Sequence, residues 1–130
     1  MSNVQTLIFV ESRYKLSRKR IRAAVKHTLA SNNVLSNVEV SIAIVGDRKM
    51  KMLNKKFRDK EGTTNVLSFP LSEGEQTKMP IEAGVVHLGD VVISYPVVIQ
   101  EAARDDMLVD EKIEELVEHG LHHLLGIHHE

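Results

Sequence analysis

The chain is expected to fold as one α+β domain, residues 1–130, built on a small mixed sheet of about four strands packed with helices. Three observations predict it. Apolar residues recur with strand and helix periods in the order β-α-β-α-β-β-α-α. The 130 residues are 42% hydrophobic, enough for one modest core. No repeat, low-complexity tract or long linker divides them.

Each element has its own reason. Val4 to Val10 is apolar and β-branched and reads as a strand. Ser17 is a good cap for a helix to about Ser31, whose Ile21, Ala24, Val25 and Leu29 keep helical spacing. Asn32, Asn33 and Asn37 mark a turn, and Val38 to Ile44 then alternates as a strand with one buried face. Asp47 can cap a short basic helix to about Phe57, with Met50, Leu53 and Phe57 inward. Thr64 to Phe69 reads as a strand stopped by Pro70, Leu71 to Gly84 as a polar loop, and Val85 to Ser94 as a strand. A helix from Pro96 to about Asp105 follows, since proline suits a first helical turn. The last helix runs from about Asp110 to Leu125. Acidic Asp110, Glu111 and Glu114 complement its positive end, and Ile113, Leu116, Val117, Leu121 and Leu124 form its core stripe.

Composition narrows the chemistry. Without cysteine there is no disulfide, thiolate metal site or thiol nucleophile, which fits a reducing compartment. Met1 to Val10 lacks the pattern of a signal peptide, and no stretch approaches the ~18 apolar residues of a membrane span. A soluble cytoplasmic protein is therefore expected. The net charge of −1 hides an asymmetry. Residues 1–65 hold fourteen Lys/Arg and five Asp/Glu, a net of +9; residues 66–130 hold three and thirteen, a net of −10. Complementary solvated faces explain this, and so does a basic footprint for a polyanion.

Five of the seven histidines lie between positions 119 and 129, and imidazole is the commonest protein metal ligand. His119 and His123 are four apart, so they share a helix face. Gly126 is a plausible helix stop, after which the chain can bring His129 back toward the same point. Three imidazoles and one open position describe a catalytic zinc site. Zinc proteases of the HExxH type place a glutamate after the first histidine as general base; Gly120 stands there, which counts against peptide hydrolysis. A purification tag would be contiguous, and this segment is interrupted by apolar residues. His122 and His128 are expected to face solvent or support the ligands, His27 to be an ordinary surface residue, and His87 to be structural or to wall a pocket.

These residues resemble the YbeY family of rRNA maturation factors, whose signature is H-G-x-L-H-L-x-G-Y-D-H. Residues 119–129 match it at the three ligand positions and both glycines. Leu53-Asn54-Lys55-Lys56-Phe57-Arg58, Thr64 to Pro70, and Leu88-Gly89-Asp90-Val91-Val92-Ile93-Ser94 resemble further family blocks. His122 replaces a leucine, Ile127 a tyrosine and His128 an aspartate.

The resemblance implies a zincin-like metal helix near the C-terminus and a metal-dependent endoribonuclease acting on single-stranded or ribosomal RNA, with the small ribosomal subunit or assembly proteins as partners. It places His119, His123 and His129 on one Zn²⁺, with another divalent metal as the alternative. It makes Arg58 the catalytic arginine, able to hold phosphate bidentately. Asp90 could orient a ligand histidine or serve a turn, and His128 stands where relatives have an acid. Lys51, Lys55, Lys56 and Lys60 could track an RNA backbone. Two other functions remain open: a metal hydrolase of another substrate class, and a non-catalytic ribosome-assembly factor with a structural zinc.

Overall fold

The computed structural model describes residues 3–34, 36–71 and 85–126. Four strands and four helices lie in them: β1 (Val4–Val10), α1 (Arg18–Ser31), β2 (Asn37–Val45), α2 (Asp47–Arg58), β3 (Val66–Pro70), β4 (Val85–Ser94), α3 (Tyr95–Arg104) and α4 (Val109–Leu124). The sheet order is β1-β2-β4-β3. β1 and β4 run parallel to β2, while β3 runs antiparallel to β4 at one edge. The fold is the expected α+β arrangement with a mixed four-stranded sheet.

The two faces of the sheet are covered differently. On one, Val38, Val40, Ile42 and Ile44 of β2 and Val91 and Ile93 of β4 meet Ile21, Val25 and Leu29 of α1 and Ile113, Leu116, Val117 and Leu121 of α4. That is the main core, and burial of these side chains supplies ~1.5–3 kcal/mol each. On the other face α2 makes a smaller cluster of Met50 with Val45, Leu67 and Val92. Leu7 and Phe9 of β1 lie beyond its reach and are 47% and 60% exposed.

The helix ends follow local chemistry. The Ser17 hydroxyl accepts from the Arg20 amide at 3.2 Å, and Asp110 of α4 accepts from the Ser17 amide at 3.0 Å. Arg20 then donates twice to Glu114, both at 2.8 Å, so α1 and α4 are clamped along their first turns. Ser94 caps α3 with Pro96 in its first turn. Gly126 adopts a φ of 77° and ends α4 as expected.

Three expectations need correction. Gly46, not Asp47, is the cap of α2, and Asp47 is its first residue. β3 begins at Val66 rather than Thr64. Phe57 is not inward: it is 49% exposed, because the last turn of α2 overhangs a cavity instead of a packed surface. The expected 71–84 loop lies, apart from Leu71, outside the described residues.

Candidate functional site

β3 organises the site. Its register with β4 pairs Leu67 with Val92 and Phe69 with Asp90. The flanking bonds are Asn65 O to Ser94 N at 2.9 Å and Leu88 O to Leu71 N at 3.1 Å. By antiparallel alternation, the backbone groups of Ser68 then point away from β4, toward the free edge. The Arg58 guanidinium donates to Ser68 O at 2.7 Å. The Ser68 side chain turns to the other helix, its hydroxyl donating to Gly120 O at 3.2 Å. One strand residue thus ties the end of α2 to α4.

The ending of α2 aims Arg58 there. Asp59 takes a left-handed φ of 54° and stops the helix, while the buried Asn54 amide donates to Gly62 O at 3.1 Å and pins the following turn. The Arg58 guanidinium lies 5.3 Å from the Phe69 ring centroid, within cation–π range. A guanidinium has five N–H donors, so most of them stay available to an anion.

Gly120 brings α4 to the sheet. A Cβ there would fall 2.5 Å from Val91 Cγ1 and 3.3 Å from Ser68 Oγ, so a bare backbone is what the contact admits. On a helical wheel, Val117 and Leu121 lie to one side of Gly120, toward α1, as does the Glu114 that clamps Arg20. His119 and His123 lie roughly 60–100° to the other side, on the flank turned from α1 and toward the β3 edge. Their rings are neighbours, with centroids 4.7 Å apart and planes tilted by 48°. Both are exposed.

Two adjacent, solvent-facing imidazoles on a rigid helix suit shared coordination of one cation. His129, the expected third ligand, and His128 lie outside the described residues. Among the described residues no group of three or more metal-ligating side chains assembles.

Asp90 is placed elsewhere. β4 carries a bulge: Glu39 pairs with His87 but Val40 pairs with Gly89, so Leu88 is an inserted residue. Gly89 accommodates it with a φ of 132°, and a Cβ there would sit 2.2 Å from Phe69 O. The insertion puts Asp90 on the same face as Val92, in a cavity with Leu53, Phe57 and Phe69. The sheet therefore lies between Asp90 and α4. His87 is held by Glu39, with Nδ1 2.9 Å from its carboxylate, and His27 is exposed.

All four lysines are exposed on or just past α2. Lys51 pairs with Asp47 and Lys55 with Asp59 and Glu61, and the Lys56 ammonium lies 5.2 Å from the Phe57 ring. Sequence reasoning did not single out Ser68 or Phe69. The hints were the Thr64 to Pro70 block that contains both and a serine in an otherwise apolar strand, but the partners of Ser68 lie 10 and 52 positions away.

Comparison with known proteins is consistent across the chain. The family model for Endoribonuclease YbeY matches residues 6–130. Endoribonuclease YbeY of Anaeromyxobacter sp. (strain Fw109-5) is 38% identical over 118 residues, covering 91% of this chain and 57% of that protein. Endoribonuclease YbeY of Acinetobacter baumannii (strain ACICU) is 34% identical over 122 residues, covering 94% of this chain and 76% of that protein. The chain thus spans little more than half the length of some of the relatives it matches. The solution structure of a Thermotoga maritima protein superposes with a TM-score of 0.60 at 23% identity, over 97% of this chain and 75% of that one, which shows a shared fold. With its sequence matched from residue 6 to residue 130, the chain belongs to the YbeY family.

Proposed function

We propose that this chain is a metal-dependent endoribonuclease that cuts single-stranded RNA during rRNA maturation and ribosome quality control in the cytoplasm. The observation that carries the reading is the link through Ser68, which joins the Arg58 guanidinium to the helix bearing His119 and His123 at one sheet edge. The names of the relatives supply the substrate class.

His119 and His123, with His129 from the following segment, would hold the ion, zinc in this reading. Such an ion supplies a Lewis acid for water and for a phosphoryl oxygen. Arg58 binds the scissile phosphate through the donors that Ser68 leaves free and offsets charge as it develops. Ser68 keeps that guanidinium in register with α4. The exposed lysines of α2 extend the positive surface along the backbone of the strand. Ribosomal RNA in the small subunit, with its assembly proteins, is the proposed setting.

A structural zinc is less well supported. α4 is already anchored by Ile113, Leu116, Val117 and Leu121 in the main core. The test is cleavage of a single-stranded RNA by the zinc-loaded chain. We expect activity that a chelator removes and that His123→Ala lowers at least a hundredfold, with the melting temperature little changed. Equal cleavage by the parent and the variant would reject the proposal.

A further inference from the structure

We infer that the cavity beneath α2 is a nucleobase subsite in which Asp90 reads a guanine, an inference that rests on the RNA-cleaving reading above. The cavity measures about 530 Å³, within the ~300–1,000 Å³ of small-ligand sites. Its walls are apolar and aromatic, with Phe57 and Phe69 meeting edge to face at a centroid distance of 5.2 Å. Among the described residues of the lining, Asp90 is the one ionisable side chain. No hydrogen bond from a described residue reaches its carboxylate, although the glycine bulge turns it into this space.

The chemistry selects the occupant. A carboxylate repels phosphate, so the cavity suits a base, and the phosphate belongs with Arg58 at the rim. Arg58 and the cavity share Phe69: the guanidinium sits near that ring and the cavity uses the same ring as wall. An ionised carboxylate is acceptor-only, with two oxygens side by side. Guanine alone among the four bases offers two adjacent donors, N1–H and N2–H, on its pairing edge. Flat bases also stack on aromatic rings, as single-stranded RNA commonly does on protein aromatics. Ser41 lies beside Asp90 in the strand register and Leu7 beside Ser41, so the sheet continues the surface toward β1.

The experiment is fluorescence anisotropy with the full chain in chelator, so that binding is read without cleavage. The probes are labelled oligouridines carrying one central guanosine, adenosine, cytidine or inosine. The guanosine probe is expected to bind about tenfold more tightly than the adenosine and cytidine probes. Inosine, lacking the N2 amine, loses most of that gain with no change to the protein. Asp90→Asn removes the preference, so that the guanosine probe then binds no more tightly than the adenosine and cytidine probes. Equal binding of all probes, or a preference that survives Asp90→Asn, overturns the base subsite and leaves the nuclease reading standing. Failure of every probe to bind overturns both. A guanosine preference with no cleavage once zinc is restored upholds the subsite and removes the nuclease.

Discussion

The two faces of the sheet divide the work. The face under α1 and α4 is closed, with Ile42, Ile44, Val91, Ile93, Ile113, Val117 and Leu121 removed from solvent. The face under α2 is half covered, leaving Leu7 and Phe9 exposed and a cavity around Asp90. Stability resides mainly on the first face and ligand-accepting space on the second. The candidate metal helix belongs to the stable side, while Arg58 comes from the open side and ends at Ser68 O on the β3 edge. A site assembled across an edge strand inherits rigidity from one face and access from the other.

The largest break of this contrast is Ile113→Ala. Truncating a fully buried residue in the main core costs ~2–5 kcal/mol, and the urea midpoint should fall with the slope unchanged. Gly120→Ala comes next. The added methyl meets Val91 and must push α4 from the sheet, costing ~1–3 kcal/mol and weakening cleavage beyond what the stability loss explains.

A smaller effect is pH-dependent. Two hydrogen bonds from Arg104, then one from Lys112, hold the Asp105 carboxyl well below the usual carboxylate range. Its folded pKa is depressed, so the stability it adds is present above the ordinary carboxylate pKa of ~4 and is lost as pH falls below it. Asp105→Asn should be less stable than the parent at pH 7, and the gap should narrow in melts below about pH 4. The smallest effect is Leu7→Ser on the open face, expected within ~0.5 kcal/mol of the parent by the same urea titration. A loss as large as that of Ile113→Ala would erase the distinction between the faces.

Much of this was legible in the residue pattern. β2 alternates buried and open positions along its length, so its period marks it as a strand with one core face. The α4 stripe fixed its core face, and the four-residue spacing of His119 and His123 put their rings side by side on one flank. What sequence could not place depends on distant partners or on a single inserted residue. The bulge at Gly89 decides which face receives Asp90, and simple alternation cannot register it. Phe57 has the same helical spacing as Met50, yet Met50 is buried against Val45, Leu67 and Val92 while Phe57 overhangs a cavity. The bridge from Arg58 through Ser68 to Gly120 joins three elements that no local window contains.

The most direct test is a double-mutant cycle on single-stranded RNA cleavage with Arg58→Ala, His123→Ala and both together, each loaded with zinc. Groups that act as one centre lose their effect together, so the double variant should be about as slow as the worse single one. Effects that multiply as independent steps, or an Arg58→Ala variant with parental rates, would contradict a shared centre at the β3 edge.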